Sequence, residues 1–142
     1  MDRNLTAKAS TTIHAPSDAV WQALVDPGAI RQYMFGAQVD SDWREGSPIT
    51  WKGEFKGKPY EDKGKILEVA RGKRLRYSHF SPLAGLPDKP ENYHTVTIDL
   101  SGEGEETRVS LAQDNNADEK ALAHSEKNWT AMLDGLKKYV EE

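Results

Sequence analysis

NADEKALAHSEKNWTAMLDGLKKYV, residues 116–140, is where the chain changes its period. Leu122, Trp129, Met132, Leu133, Leu136 and Val140 fall on one stripe at helical spacing, while charges such as Asp134 and Lys138 sit elsewhere, one turn apart. Asn116, followed three residues later by Glu119, has the spacing of a capping box, so the helix is expected to start there. A helix of about 24 residues is roughly 36 Å long. A compact domain of this chain length is only about 35–40 Å across. The helix must therefore cross the molecule, and only a sheet offers an apolar partner that wide.

Upstream of residue 116 the period is 2 almost throughout. Leu5, Ala7, Ala9, Thr11 and Ile13 alternate with polar residues, the pattern of a half-buried strand. Ala15-Pro16-Ser17-Asp18 then opens a short helix, with proline at its first position and an acid in its first turn. Val20, Trp21, Leu24 and Val25 are its apolar face. Asp26-Pro27-Gly28 breaks it, and Ala29 to Phe35 reads as a second short helix. Ile49, Trp51, Gly53 and Phe55 share one face of a strand, Lys56 to Pro59 turns, and Tyr60 to Val69 is a longer strand. Arg71-Gly72-Lys73 turns into Leu75, Tyr77 and His79. Ser81 to Glu91 holds three prolines and a glycine and is expected to be a loop. His94, Val96, Ile98 and Leu100 alternate again, Gly102 to Glu106 turns, and Val109 and Leu111 end the run. The expected architecture is α+β: a curved antiparallel sheet of about six or seven strands, two short helices, and a long C-terminal helix packed across the sheet. One domain is expected over residues 1–142.

Composition narrows the function classes. The formal net charge is −4 and is spread without long runs of one sign, so there is no general basic face for nucleic acid or an anionic membrane. The basic residues Lys63, Lys65, Arg71, Lys73, Arg74 and Arg76 cluster on adjoining strands and read as a solvated outer face. Cysteine is absent, which removes disulfides, thiolate metal sites and cysteine nucleophiles. Met1-Asp2-Arg3-Asn4 leads into polar residues without an apolar signal core, and no stretch nears the ~18 apolar residues of a membrane span. A cytoplasmic location is expected. The four histidines, His14, His79, His94 and His124, show no metal spacing, and no glycine-rich phosphate loop, calcium loop or nucleophile elbow is complete. No metal or other cofactor is expected.

Three stretches together carry a family likeness. Ala15-Pro16-Ser17-Asp18-Ala19-Val20-Trp21-Gln22-Ala23-Leu24, followed by Asp26-Pro27, resembles the opening helix of the family named for the activator of the Hsp90 ATPase, within the START/Bet v 1-like (SRPBCC) superfamily. Trp51-Lys52-Gly53-Glu54-Phe55 resembles its central strand. Asn128-Trp129-Thr130-Ala131-Met132-Leu133-Asp134-Gly135-Leu136 resembles the Gly-Trp-x-x-x-Leu-x-x-Leu signature of its last helix, with Asn128 where glycine is usual. The likeness spans nearly the whole chain. It implies a helix-grip fold with a cavity between sheet and long helix, of the kind superfamily members use for lipids, sterols, polyketides or plant hormones. It also implies a co-chaperone-like contact with Hsp90 in the stress response. The eponymous co-chaperone carries a second, separate domain that these residues do not include.

The candidate site follows from the inward positions. Trp51, Phe55, Tyr77, His79 and Trp129 fall inward, with Phe35 at the end of the second helix and Met132 and Leu133 on the helix stripe. Large apolar walls with a few polar tips suit a small apolar ligand. The same aromatics would equally serve as packed core. Ser125 and Glu126 border the stripe and could meet a ligand head group at the cavity mouth, or simply be solvated. Leu83 and Leu86, set among the loop prolines, could form a lid or cover the end of the sheet. Gly135 lies inside the last helix, where it costs about 1 kcal/mol against alanine, so a close neighbour is expected there. No catalytic residue is assigned. His79 is the best proton carrier, but a cyclase or hydrolase would need a partner for it. The first expectation is a binding module for a small apolar molecule, as monomer or homodimer, with Hsp90 or another protein as alternative partner.

Overall fold

A computed structural model describes residues 5–34, 36–55, 57–81, 87–116 and 118–141, with Phe55 and Glu103 by backbone alone. Every alternating stretch forms a strand: β1 (Leu5–Ile13), β3 (Pro48–Phe55), β4 (Lys58–Ala70), β5 (Arg74–His79), β6 (His94–Glu103) and β7 (Glu106–Asn116). A seventh, β2 (Gln38–Ser41), is too short for alternation to separate from its surroundings. All seven pair antiparallel in one sheet, in the order β1-β7-β6-β5-β4-β3-β2. This is the expected α+β, helix-grip architecture.

The two short helices, α1 (Ser17–Val25) and α2 (Pro27–Tyr33), lie where the sequence puts them, to within two residues at each end. Asp26 separates them, and its carboxylate accepts from the Gly28 N–H at 3.1 Å as cap of α2. The Tyr33 hydroxyl donates back to the Ala23 carbonyl at 2.9 Å, which ties the helices together. α2 ends at Tyr33 rather than running to residue 35, and Phe35 lies outside the described residues, as do Leu83 and Leu86.

The long helix α3 spans Glu119–Glu141. Its cap corrects the sequence expectation. Asp118, not Asn116, accepts from the backbone N–H of Ala121 at 2.8 Å. Asn116 stays in β7 and is 2% exposed. Its amide donates to the carbonyls of Leu5 (2.9 Å) and Gln113 (3.0 Å) and its oxygen accepts from the Ser125 hydroxyl (2.8 Å). A polar side chain with four possible hydrogen bonds does more as a buried clamp than as an exposed cap.

The apolar face of α3 enters the core through Met132, Leu133 and Leu136, against Ile13, Leu75, Ile98, Val109 and Leu111 from the strands and Val20, Trp21 and Ile30 from the short helices. Gly135 is the close approach expected: a Cβ there would lie 3.2 Å from the Cβ of Tyr33. β4 bends to pass from β3 to β5. Its first half pairs with β3, its second half with β5, with a register shift between Ile66 and Glu68. Gly64 sits before the bend, and a Cβ on it would stand 1.8 Å from the Ser78 carbonyl oxygen. Only glycine fits.

Candidate functional site

Cross-strand partners share a face of the sheet. Trp51 of β3 is opposite Asp62 of β4, and Tyr77 of β5 is opposite Ile66 of β4 and Val96 of β6. His79 is opposite His94. These residues share the face of the sheet that carries the buried core. The face has two halves. Toward α1 it is apolar and tightly filled, whereas around Asp62, His79 and His94 it is polar.

The polar half is built on one carboxylate. On the alternate inward positions Ile49 to Phe55, Tyr60 to Ile66, Leu75 to His79, His94 to Leu100 and Thr107 to Gln113, Asp62 is the one Asp, Glu, Lys or Arg. Its Oδ2 lies 2.9 Å from His79 Nε2, whereas Oδ1 is buried and has no hydrogen-bond partner among the described residues. The pair still reaches the surface, with 26% of the His79 side chain and 14% of the Asp62 side chain exposed. A carboxylate can only accept, so His79 donates from Nε2. His94 Nδ1 lies 2.9 Å from the Asp114 carbonyl, which also can only accept, so His94 donates from Nδ1. The two imidazoles stack with centroids 6.3 Å apart. Trp51 sets its ring edge-on to His79 at 5.0 Å and tilted against Tyr77 at 5.2 Å.

The surrounding hydroxyls are neutral. Burial pushes the Tyr77 hydroxyl well above the ordinary tyrosine range. Burial, then the negative charge of Asp62, raises that of Tyr60. The Tyr60 ring lies over Gly53, where a Cβ would come within 2.8 Å of its oxygen. Among the described residues no cluster of three or more His, Asp or Glu could hold a metal ion.

Trp51 and Tyr77 are each 5% exposed and belong to one apolar cluster with Met132 and Leu133. Trp129 packs against that cluster, and its indole N–H donates to Gln113 Oε1. Ser125 is engaged by Asn116, and the Glu126 carboxylate accepts from the Lys8 backbone N–H at 3.1 Å, stapling α3 to β1. Phe55 is described by its backbone alone, in β3. Asp62 is the residue the sequence reading did not single out. Counting back from Ile66 by twos would have placed it inward.

Two hollows lie away from this cluster. One, of about 510 Å³, is lined by residues of β1, β6, β7 and α3, including Lys8, Thr97, Ser110 and Thr130. The other, of about 580 Å³, lies between α1 and the end of α3, at Gln22, Asp26 and Tyr139.

A bent, open antiparallel sheet with one long helix packed on it, and a mixed aromatic and polar inner face, defines a helix-grip protein. The chain belongs to the family described as activator of Hsp90 ATPase homolog 1-like protein, whose model matches residues 14–141. It is similar to ChR145 from Cytophaga hutchinsonii, with 57% identity, a TM-score of 0.86, and 99% of this chain and 97% of that one covered. CV1439 from Chromobacterium violaceum shares the fold at 24% identity and TM-score 0.78, over 96% and 97% of the two chains. The Aha1 dimer from Colwellia psychrerythraea shares it at 19% identity and TM-score 0.75, over 96% of each. No curated protein matches the sequence. No helix among the described residues is long and apolar enough to cross a membrane.

Proposed function

We propose that the protein binds a small, mostly apolar molecule on the inner face of the sheet, beneath α3, with Asp62 and His79 recognising its polar end. One observation carries this reading: the lone charged residue of the inward face has a buried oxygen without a partner. Leaving such an acceptor unsatisfied costs about 1–3 kcal/mol, more when it is charged. A fold-only requirement would be met as well by leucine or asparagine at this position. One oxygen bound to His79 and the other buried without a partner is the pattern of a group kept for a ligand. Trp51 and Tyr77 adjoin the pair and pack with Met132 and Leu133, so an apolar stem must part this packing to enter; membership of the family supports a ligand-binding reading.

The test is native mass spectrometry with thermal melts, using apolar molecules that carry carboxylate, hydroxyl, ketone or amine head groups. Saturation at a hundredfold excess over the dissociation constant stabilises a protein by about 2.7 kcal/mol. A retained mass, or a melting shift of that size lost on Asp62→Asn, is the expected result. No bound mass and no shift with any head group ends this reading.

A second reading, docking to a partner protein, has one supporting feature besides the family. The helices cover one face of the sheet, and the other exposes charges in compensating pairs, Arg74 with Asp99 (2.5 Å) and Arg76 with Glu68 (3.7 Å). Such pairs are worth little to stability when exposed. Binding through this face would weaken with added salt.

A further inference from the structure

We propose that the hollow between α1 and the end of α3 is a docking site for an arginine side chain of a partner protein. It lies away from the inner face of the sheet, so it stands or falls independently of the binding reading above. Ala19, Gln22, Ala23 and Asp26 follow one another along α1 and its cap at helical spacing, so they form one stripe. Tyr139 and Val140, from the last turn of α3, complete the lining, and the hollow measures about 580 Å³. Its apolar part is small, made of Ala19, Ala23 and Val140, and its polar and aromatic part is Gln22, Asp26 and Tyr139.

The charge of this place is negative and uncompensated. Asp26 Oδ1 accepts from the Gly28 N–H and so caps α2. Among the described residues Oδ2 has no partner and the carboxylate forms no ion pair. α1 and α3 both end here, and a helix C-terminus carries partial negative charge. α1 has no basic residue in its last turn, and Lys138 of α3 does not line the hollow. Beneath, the Ala23 carbonyl already accepts from the Tyr33 hydroxyl at 2.9 Å. Among the described residues the side chains of Gln22 and Tyr139 make no hydrogen bond. Tyr139 is 41% exposed, one of two large apolar side chains among the described residues that are so open. An open aromatic ring beside an unpaired carboxylate is the composition of an interface anchor.

Arginine matches each part. Its methylene stem suits the alanine and valine surface, and its flat guanidinium stacks on a tyrosine ring. Its five N–H donors can serve acceptors on separate residues, here Asp26 Oδ2 and the Gln22 carbonyl. Lysine brings the charge without the flat face, and an acidic side chain is repelled.

The experiment titrates the isotope-labelled full chain, followed by NMR, with blocked leucine-X-leucine tripeptides carrying arginine, citrulline or glutamate at X. Citrulline keeps the shape of arginine and removes its charge. Titration runs to about 10 mM, tenfold above the millimolar dissociation constant expected of one anchored side chain. The arginine peptide should shift the Gln22, Asp26 and Tyr139 signals and bind about tenfold tighter than citrulline, because an exposed ion pair and a helix terminus each contribute a few-fold. The glutamate peptide should leave them unmoved. Asp26→Asn, which keeps a good helix cap, should bring arginine down to the level of citrulline. Tyr139→Ala, at an exposed position, should also weaken arginine and carries the test if Asp26→Asn does not fold. Equal affinity for arginine and citrulline, an arginine affinity unchanged in both variants, or no shift at these residues overturns the assignment. Shifts of the same signals with protein concentration alone would give the hollow to a second copy of the chain and overturn it as well.

Discussion

A methyl group on Gly64 would stand 1.8 Å from the Ser78 carbonyl oxygen, and that atom belongs to the backbone of the neighbouring strand. Backbone cannot rotate away as a side chain tip can. Gly64→Ala is therefore expected to cost at least the 1–3 kcal/mol typical of overpacking, read as a lower urea midpoint. Gly53→Ala meets the Tyr60 ring instead, which can swing outward, so its cost should be smaller. Nothing in the local sequence distinguishes the two glycines, because each stands at an inward position of a strand. What separates them is the neighbour across the sheet, and that is a tertiary fact. Asp62 was hard to read for a related reason. It sits between Glu61 and Lys63, in a stretch where every second residue is charged or polar, and only the register assigns it to the inner face.

Among the elements, α3 was legible almost whole, since its apolar stripe, Leu122 to Val140, recurs at helical spacing for about five turns. Its first residue was not. Asn116 and Asp118 are both good caps, and choosing between them requires knowing that Asn116 is claimed by Leu5 and Gln113. Asp118→Ala should therefore cost the helix about 1 kcal/mol, whereas Asn116→Ala should cost more because it leaves buried carbonyls unpaired. Thermal melts of the two variants give the comparison. Leu133, 1% exposed, faces both strands and short helices, and Leu133→Ala should cost about 2–5 kcal/mol. The candidate site divides along the same line. Its apolar members, Trp51, Tyr77, Met132 and Leu133, follow from periodicity, while the Asp62–His79 bond depends on how β4 and β5 align across the bend.

For the molecule as a whole, two buried tyrosines set an alkaline limit. Burial raises the hydroxyls of Tyr33 and Tyr77 above the ordinary tyrosine value, and the charges of Tyr77 and Asp26 add to the shift at Tyr33. A raised value in the folded state means that the native protein holds protons the unfolded chain releases. The associated stability is complete below the unfolded value of about 10 and is lost as pH climbs beyond it. Urea midpoints should hold steady to about pH 9 and fall above pH 10. Tyr77→Phe should make that fall shallower. A midpoint that is flat to pH 12 would contradict the assignment.

The fastening of α3 to β1 has a consequence in time. Lys8 is held by Glu126, the Thr12 carbonyl by Lys137, and the His14 N–H by Glu141, partners more than a hundred residues apart. Among the described residues β1 finds its only strand partner in β7, which is made next to last. On a ribosome adding about 5–20 residues per second, the first strand waits several seconds for anything to pair with. In that interval Leu5 to Ile13 is an open edge with an apolar face, the kind of segment that chaperones and aggregates both recognise. Lys8 on the outer side of β1 limits the hazard. Slowing translation after β1 should raise insoluble yield in proportion to the delay, while slowing it after α3 should not.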